Sequence, residues 1–400
     1  MAAPAVTVLM TVYNGLPYLG AAIESVLGQT FRDFELLVID DASTDESVAC
    51  VRGYADPRIR LVRNAQNLGQ ARSLNNGLEL ATGAFVARLD QDDLARPRRL
   101  ERQVSILRAR PDVAVVDAYG LTIDGAGRVT GSMAKPWIDD GTFLGLVLAG
   151  GHSLGHASVT FRRDAILALG GYDETLAPAE DYDLWGRVAL AGLRVVVVPE
   201  ILAMYRFHRG SQTTERAELR QRNLRRSHER VIAALFPEGP GRRAGMLLRG
   251  EPAFWEADGS RAHVREVLSA IAAAMTAMRA RYHLSEREAE NLERVVYRFV
   301  AGAALRAALA GHRRTLAAYR FALRGGPAML RFPSVVLYPL VLALSPCLTP
   351  TIGARLLRAV EAVRLARTLT RAAAYLGWRS LLALAPDLHL SLFRHRREVD

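Results

Sequence analysis

The chain has 400 residues, 50% of them hydrophobic and 23% charged, which suits a globular protein and excludes a disordered or fibrous one. Its formal net charge of +11 is not spread along the chain: residues 301–400 hold 15 arginines against four acids, so the basic character belongs to the last quarter. Two cysteines, Cys50 and Cys347, are too few and too distant for a disulfide framework or a zinc site; a reducing compartment is expected.

The opening MAAPAVTVLM lacks the charged segment that begins a secretory signal, and its apolar run leads directly into a patterned fold. Short β-branched runs predict strands at Val6–Val12, Phe34–Asp40, Arg58–Val62, Ala84–Asp90 and Val113–Asp117. Between them, amphipathic spacing predicts helices over Tyr18–Leu27, Glu46–Tyr54, Gln70–Leu80 and Pro97–Arg108, with Ser43 and Thr44 as start signals for the second and Pro97 for the fourth. Strand and helix in alternation argue for an α/β fold with a doubly wound, mostly parallel sheet. From about residue 118 the pattern is less regular. Gly155–Arg163, Arg194–Glu200 and the start of LAMYRFHRGSQTT read as strands, and Glu180–Gly192 as a helix. After residue 215 the strands stop, and Ala-, Leu- and Arg-rich helical patterns fill a second region, 216–400. Within it, Val335–Leu348 is apolar but broken by Pro339 and Pro346, and shorter than the roughly 20 residues a membrane-spanning helix requires.

Four polar segments fall at the carboxyl ends of the predicted strands: TVYN (Thr11–Asn14), DDAST (Asp40–Thr44), NLGQARSLNNG (Asn67–Gly77) and LDQDD (Leu89–Asp93). In an open α/β sheet such ends line one crevice. No GxGxxG follows the first strand and no GxxxxGK[ST] occurs, so neither a dinucleotide fingerprint nor a P-loop is present. Crowded carboxylates tolerate a diphosphate only through a cation that neutralises both, which makes Asp90, Asp92 and Asp93 candidates for a divalent metal site.

VTVLMTVYNGLPYLG, ELLVIDDASTDES, FVARLDQDD and AEDYDLW, in that order and at these separations over residues 5–215, resemble the inverting family 2 glycosyltransferases of GT-A fold, enzymes of bacterial polysaccharide and glycolipid synthesis. The resemblance implies a nucleotide-sugar-binding and catalytic domain over 1–215, and does not extend to the basic helical region 216–400. It implies that Thr11 and Tyr13 border the nucleobase and ribose, that Asp41 accepts from the imide of uracil or thymine, and that Arg72 lies beside the base or diphosphate. It places Asp90 near the ribose, Asp92 on Mg2+ or Mn2+, His208 as a further metal or diphosphate ligand, and Asp181 as the base that deprotonates an acceptor hydroxyl. The donor implied is a nucleoside diphosphate sugar carrying uracil or thymine, and the acceptor a glycan or a lipid-linked glycan. Two rivals are a sugar-phosphate nucleotidyltransferase, against which the missing glycine-rich basic loop counts, and a non-catalytic nucleotide-sugar-binding scaffold. His152 and His156, four apart, read as structural. The arginines of 301–400, set among apolar helical faces, suit the anionic cytoplasmic surface of a membrane; no motif supports nucleic acid as partner.

Overall fold

A computed structural model describes residues 3–133, 139–151, 154–208, 216–237, 239–256, 261–309, 315–322 and 324. The first βαβ units are β1 (Val6–Val12), α1 (Leu19–Leu27), β2 (Phe34–Asp40), α2 (Ser47–Arg52), β3 (Ile59–Arg63), α3 (Gln70–Leu80) and β4 (Phe85–Arg88). Strand β5 (Leu94–Ala95) and helix α4 (Arg99–Ala109) follow, then β6 (Val113–Ile123), β7 (Val129–Ser132), α5 (Asp140–Leu148), β8 (Thr160–Arg162), α6 (Arg163–Ala168), α7 (Glu180–Leu190) and β9 (Arg194–Arg206). Beyond β9 the described residues are helical: α8 (Ala217–Leu235), α9 (Gly241–Arg249), α10 (Ala253–Glu256), α11 (Arg261–Arg281), α12 (Glu286–Leu309) and α13 (Leu316–Ala322).

The strands form one sheet in the order β3-β2-β1-β4-β8-β6-β9-β5, with β7 beside β6. Strands β3, β2, β1 and β4 are parallel, as the alternation predicts; β8 enters antiparallel between β4 and β6, β6 and β9 run parallel, and β5 and β7 pair antiparallel at the margins. Residues such as Val8, Leu36 and Val86 are buried because helices cover both faces, which is why these strands read as continuous apolar runs. One face packs on α1, α2 and α4, around Val8, Ile23, Val51 and Leu107. The other packs on α3, α5 and α7, and its core continues without a break through Val231, Leu247, Val267 and Val296 into the helices after β9.

The register fixes where the polar ends meet. Val12 pairs with Asp40, and Asp40 with Arg63, so three strands finish level. Strand β4 pairs with β1 only to Leu9↔Arg88, three residues short of that edge, so the chain from Leu89 turns into the crevice. Helix α2 begins at Ser47, later than the Ser43 and Thr44 signals suggest. The amides of those two residues are taken elsewhere: Ser43 N–H donates to the Asp40 carboxylate and Thr44 N–H to Asn14 Oδ1 at 2.8 Å. The segment around Gly155 is a short 3-10 turn, His156–Ser158, before β8 rather than one strand, and α5, α6, β5 and β7 have no counterpart in the pattern analysis. Among the described residues no helix is long and apolar enough to cross a membrane. Residues 325–400, Val335–Leu348 among them, lie outside the described residues.

Candidate active site

Asp41 is 3% exposed and fully organised: Oδ1 accepts from Asn64 Nδ2 at 2.8 Å and from Leu68 N at 2.8 Å, and Oδ2 from Gly69 N at 2.9 Å. A carboxylate has about four lone-pair positions, so three donors leave room for one more. Gly69 has φ 85°, a conformation that favours glycine, and this turns its N–H toward Asp41 just ahead of α3. Arg72, in the first turn of α3, is exposed and has no ion-pair partner among the described residues. Thr11 is half-buried near the end of β1, while Tyr13 is 45% exposed at the crevice mouth.

The DQDD turn gives each carboxylate a different environment. Arg88, with no exposed surface, donates from Nη2 to Asp90; burial pushes the Asp90 carboxyl up, but the guanidinium overrides it and holds it below the ordinary range. Asp92 is raised by burial and by the Asp90 charge, against the opposing pull of His208, whose Nε2 lies 2.9 Å from Asp92 Oδ2. Asp93 is 6% exposed, and burial with the charges of Asp90 and Asp92 drives its carboxyl well up, against the Arg206 N–H, which donates to its Oδ1 at 2.7 Å.

Two residues that pattern analysis did not single out tie this turn in place. Gln91, the middle residue of DQD, accepts from Tyr13 N at 2.8 Å and donates to Tyr13 O at 3.2 Å, locking the β1 loop to the acidic turn. Arg206, at the end of β9, donates from Nε to the Asp92 carbonyl at 2.9 Å and stacks over the Tyr18 ring at 4.5 Å. Tyr18 in turn lies 4.9 Å from the His208 ring. One sequence signal points to a third: a charged Arg88 inside the apolar run AFVA-R-LD is anomalous for a strand buried on both faces.

Asp181 is half-buried in the first turn of α7, where the helix dipole favours a carboxylate. Burial nevertheless pushes it up to about 6, with Asp90 raising it further and Arg220 opposing. Glu180, 5% exposed, is pushed up to about 7 by burial and by Asp181. Asp183 and Trp185 belong to the framework: Asp183 pairs with Arg187 at 2.7 Å and Arg230 at 3.1 Å, and Trp185 is completely buried. His156 Nε2 lies 3.0 Å from the Tyr172 hydroxyl, and burial lowers the ring to about 3, so it is neutral. His152 lies outside the described residues.

The expected site residues thus fall in two groups on one crevice. Thr11, Asp41 and Arg72 make one end; Asp90, Asp92, His208 and Asp181 make the other, where the charges of Asp90 and Asp181 act on each other. No hydrogen bond or ion pair among the described residues joins Asp41 or Arg72 to Asp92 or His208; Tyr13 and Asn14, tied to Gln91 and to Ser43, bridge the two.

The model of the family described as glycosyl transferase family 2 matches residues 7–166. EpsE of Bacillus subtilis, named as a glycosyltransferase, is 36% identical over 218 residues, covering 53% of this chain and 76% of the relative. This chain belongs to glycosyl transferase family 2. The transferase is also 31% identical over 216 residues to the succinoglycan biosynthesis protein ExoO of Rhizobium meliloti, covering 52% of the one and 62% of the other. Among solved structures, S. aureus TarS residues 1–349 in complex with UDP-GlcNAc shares the fold, with a TM-score of 0.51, 16% identity, and coverage of 86% of this chain and 91% of that one. These matches agree with the GT-A architecture and with glycosyl transfer as the activity.

Proposed function

We propose that the transferase moves a sugar from a UDP- or dTDP-sugar to a hydroxyl of a glycan or lipid-linked glycan, with inversion, in the synthesis of a bacterial polysaccharide. The observation that carries this reading is the meeting of the acidic turn after β4 with the first turn of α7, so that Asp90 and Asp181 influence each other's charge. A base placed across from the donor carboxylates is what a single displacement demands: the acceptor hydroxyl attacks the anomeric carbon as its proton passes to the Asp181 carboxylate. With one proton transfer and one substitution at that carbon, configuration inverts.

Asp41, with one lone-pair position not taken by its three donors, accepts the imide N–H of uracil or thymine; a base without such a donor leaves that position unsatisfied. Tyr13 and Thr11 border the base and ribose, Asp90 meets the ribose, and Arg72 offers charge to the diphosphate. Asp92 and His208 supply one carboxylate oxygen and one imidazole nitrogen 2.9 Å apart beside an excess of acid, a set that fits Mg2+ or Mn2+ completed by phosphate oxygens and water. Among the described residues no group of three or more His, Cys, Asp or Glu side chains is placed to hold a metal ion. When bound, the ion neutralises charge on the departing diphosphate. The basic segment 301–400 is read as contacting an anionic membrane surface on the cytoplasmic side, on sequence alone.

The test is turnover of UDP-, dTDP- and GDP-sugars with and without EDTA, with the anomeric configuration of the product read by NMR. Inverted product from a pyrimidine donor, lost on chelation and restored by Mn2+ or Mg2+, is expected. Turnover of GDP-sugars alone would overturn the assignment of a pyrimidine donor.

A further inference from the structure

Helix α8 is fixed against the acceptor end of the crevice by a buried anchor. Asn223, 2% exposed, donates to the Ala177 carbonyl at 2.9 Å, immediately ahead of α7. About one turn earlier, Arg220 lies over the Tyr182 ring with its guanidinium carbon 5.5 Å from the centroid, beside Asp181. Arg216, four residues before it and exposed, falls on the same side of the helix. Farther along α8 the arginines are neutralised: Arg225 pairs with Glu229 and Glu251, and Arg230 with Asp173 and Asp183. Arg220 bonds the Tyr182 side chain and its charge acts on Asp181, while Glu218, between Arg216 and Arg220, points about 200° away around the helix.

We propose that the acceptor carries an anionic group, a phosphate ester or a carboxylate, which Arg216 and Arg220 hold above Asp181. This rests on the reading of Asp181 as the acceptor-side base. Two physical arguments favour it. Glu180, Asp181 and the DQDD turn make that end of the crevice electronegative, so an anionic acceptor approaches only if cations stand at the rim. Guanidinium groups offer paired N–H donors that match carboxylate and phosphate oxygens, and the Tyr182 ring holds Arg220 in position before the ligand arrives. A neutral glycan would gain nothing from two arginines one turn apart, which repel each other when no anion lies between them.

The experiment uses the full chain saturated with UDP and Mn2+, so that the donor end is filled, at low ionic strength. Inorganic phosphate, glucuronate and glucose are titrated in separate arms, followed by NMR of the small molecule. The intact transferase is expected to bind phosphate or glucuronate and not glucose, and the double variant Arg216→Gln/Arg220→Gln to bind the anion about five- to thirtyfold more weakly, the loss of two exposed ion pairs. Tighter phosphate binding assigns a phosphorylated acceptor, tighter glucuronate binding an acidic sugar. Arg222→Gln, on the outward side of α8, is the control and should change neither arm. Equal anion binding by the intact chain and the double variant, or no anion binding at all, overturns the proposal. UDP and Mn2+ binding reads the donor assignment separately: its failure in the intact chain sinks that assignment, while its retention in the double variant shows the fold and donor end intact.

Discussion

Asp181→Asn separates the chemistry of the site from its stability. The carboxyl is raised from 3.8 to about 6, chiefly by burial, so the folded protein binds that proton more tightly than the unfolded chain does. The stability linked to this proton is fully present below pH 4 and is lost as pH rises through about 6; above that the fold holds a poorly solvated charge. A rise of about two units corresponds to about 3 kcal/mol, which partial exposure of the side chain reduces to roughly 1–2 kcal/mol. Asparagine keeps the shape without the charge. The variant should therefore be more stable than the parent at pH 8 by about that amount, with the gap about half as large at pH 5, while transfer falls by about 100- to 10,000-fold through loss of the base. Urea unfolding at the two pH values reads the first quantity and steady-state turnover the second. A variant retaining a tenth or more of kcat refutes the base assignment, and a variant less stable at pH 8 than the parent refutes the desolvation argument.

The other predictions probe separate parts of the crevice. Transfer by the intact protein should lose activity on the acid side between about pH 7 and 6, where Glu180 and Asp181 take up protons as a coupled pair; a limb near pH 4 would mean neither is strained. His208→Ala should raise the Mn2+ concentration needed for half-maximal turnover by about tenfold or more, and Asp92→Asn should lose activity that added metal cannot restore, both read by metal titration. Gln91→Ala removes two bonds to the Tyr13 backbone, each contributing about 1 kcal/mol, so the fold should lose up to about 2 kcal/mol, seen as a lower urea midpoint, and donor KM should rise as the β1 loop comes free of the acidic turn. Asp183→Ala, by contrast, takes the carboxylate from Arg187, which keeps the Leu169 and Gly171 carbonyls, and from Arg230, which keeps Asp173, and should destabilise the fold by about 1–2 kcal/mol, seen as a lower urea midpoint.

Much of the architecture is written locally. Runs such as VTVLMTV and FELLVID are β-branched and short, and the helices between them keep their apolar stripes, so β1 to α4 lie close to where periodicity puts them. The two residues of β5 and the short strand β7 escape because edge pairing, not local preference, makes them strands. The acidic clusters are legible as a candidate site because like charges at strand ends demand a reason. Their division of labour is not. That the Asp90 carboxyl is pulled down by Arg88, that Asp92 faces His208 and that Asp93 is pushed up while bonded by the Arg206 N–H depends on partners of which the last two are more than a hundred residues away and reached only through the pairing of β9. Likewise Gln91 looks like filler in DQD until the backbone of Tyr13 is seen beside it.

The two cores of the sheet are unequal in a way that bears on divergence. The helices after β9 extend only the core that includes α7; the core around α1, α2 and α4 has no share in them. Substitutions accumulating in the late helices would therefore be transmitted to the face that carries α3 and α7, and leave the side of α1, α2 and α4 undisturbed. A lineage built this way carries both the cradle of Asp41 and the helix of Asp181 on the core that its late helices can reshape.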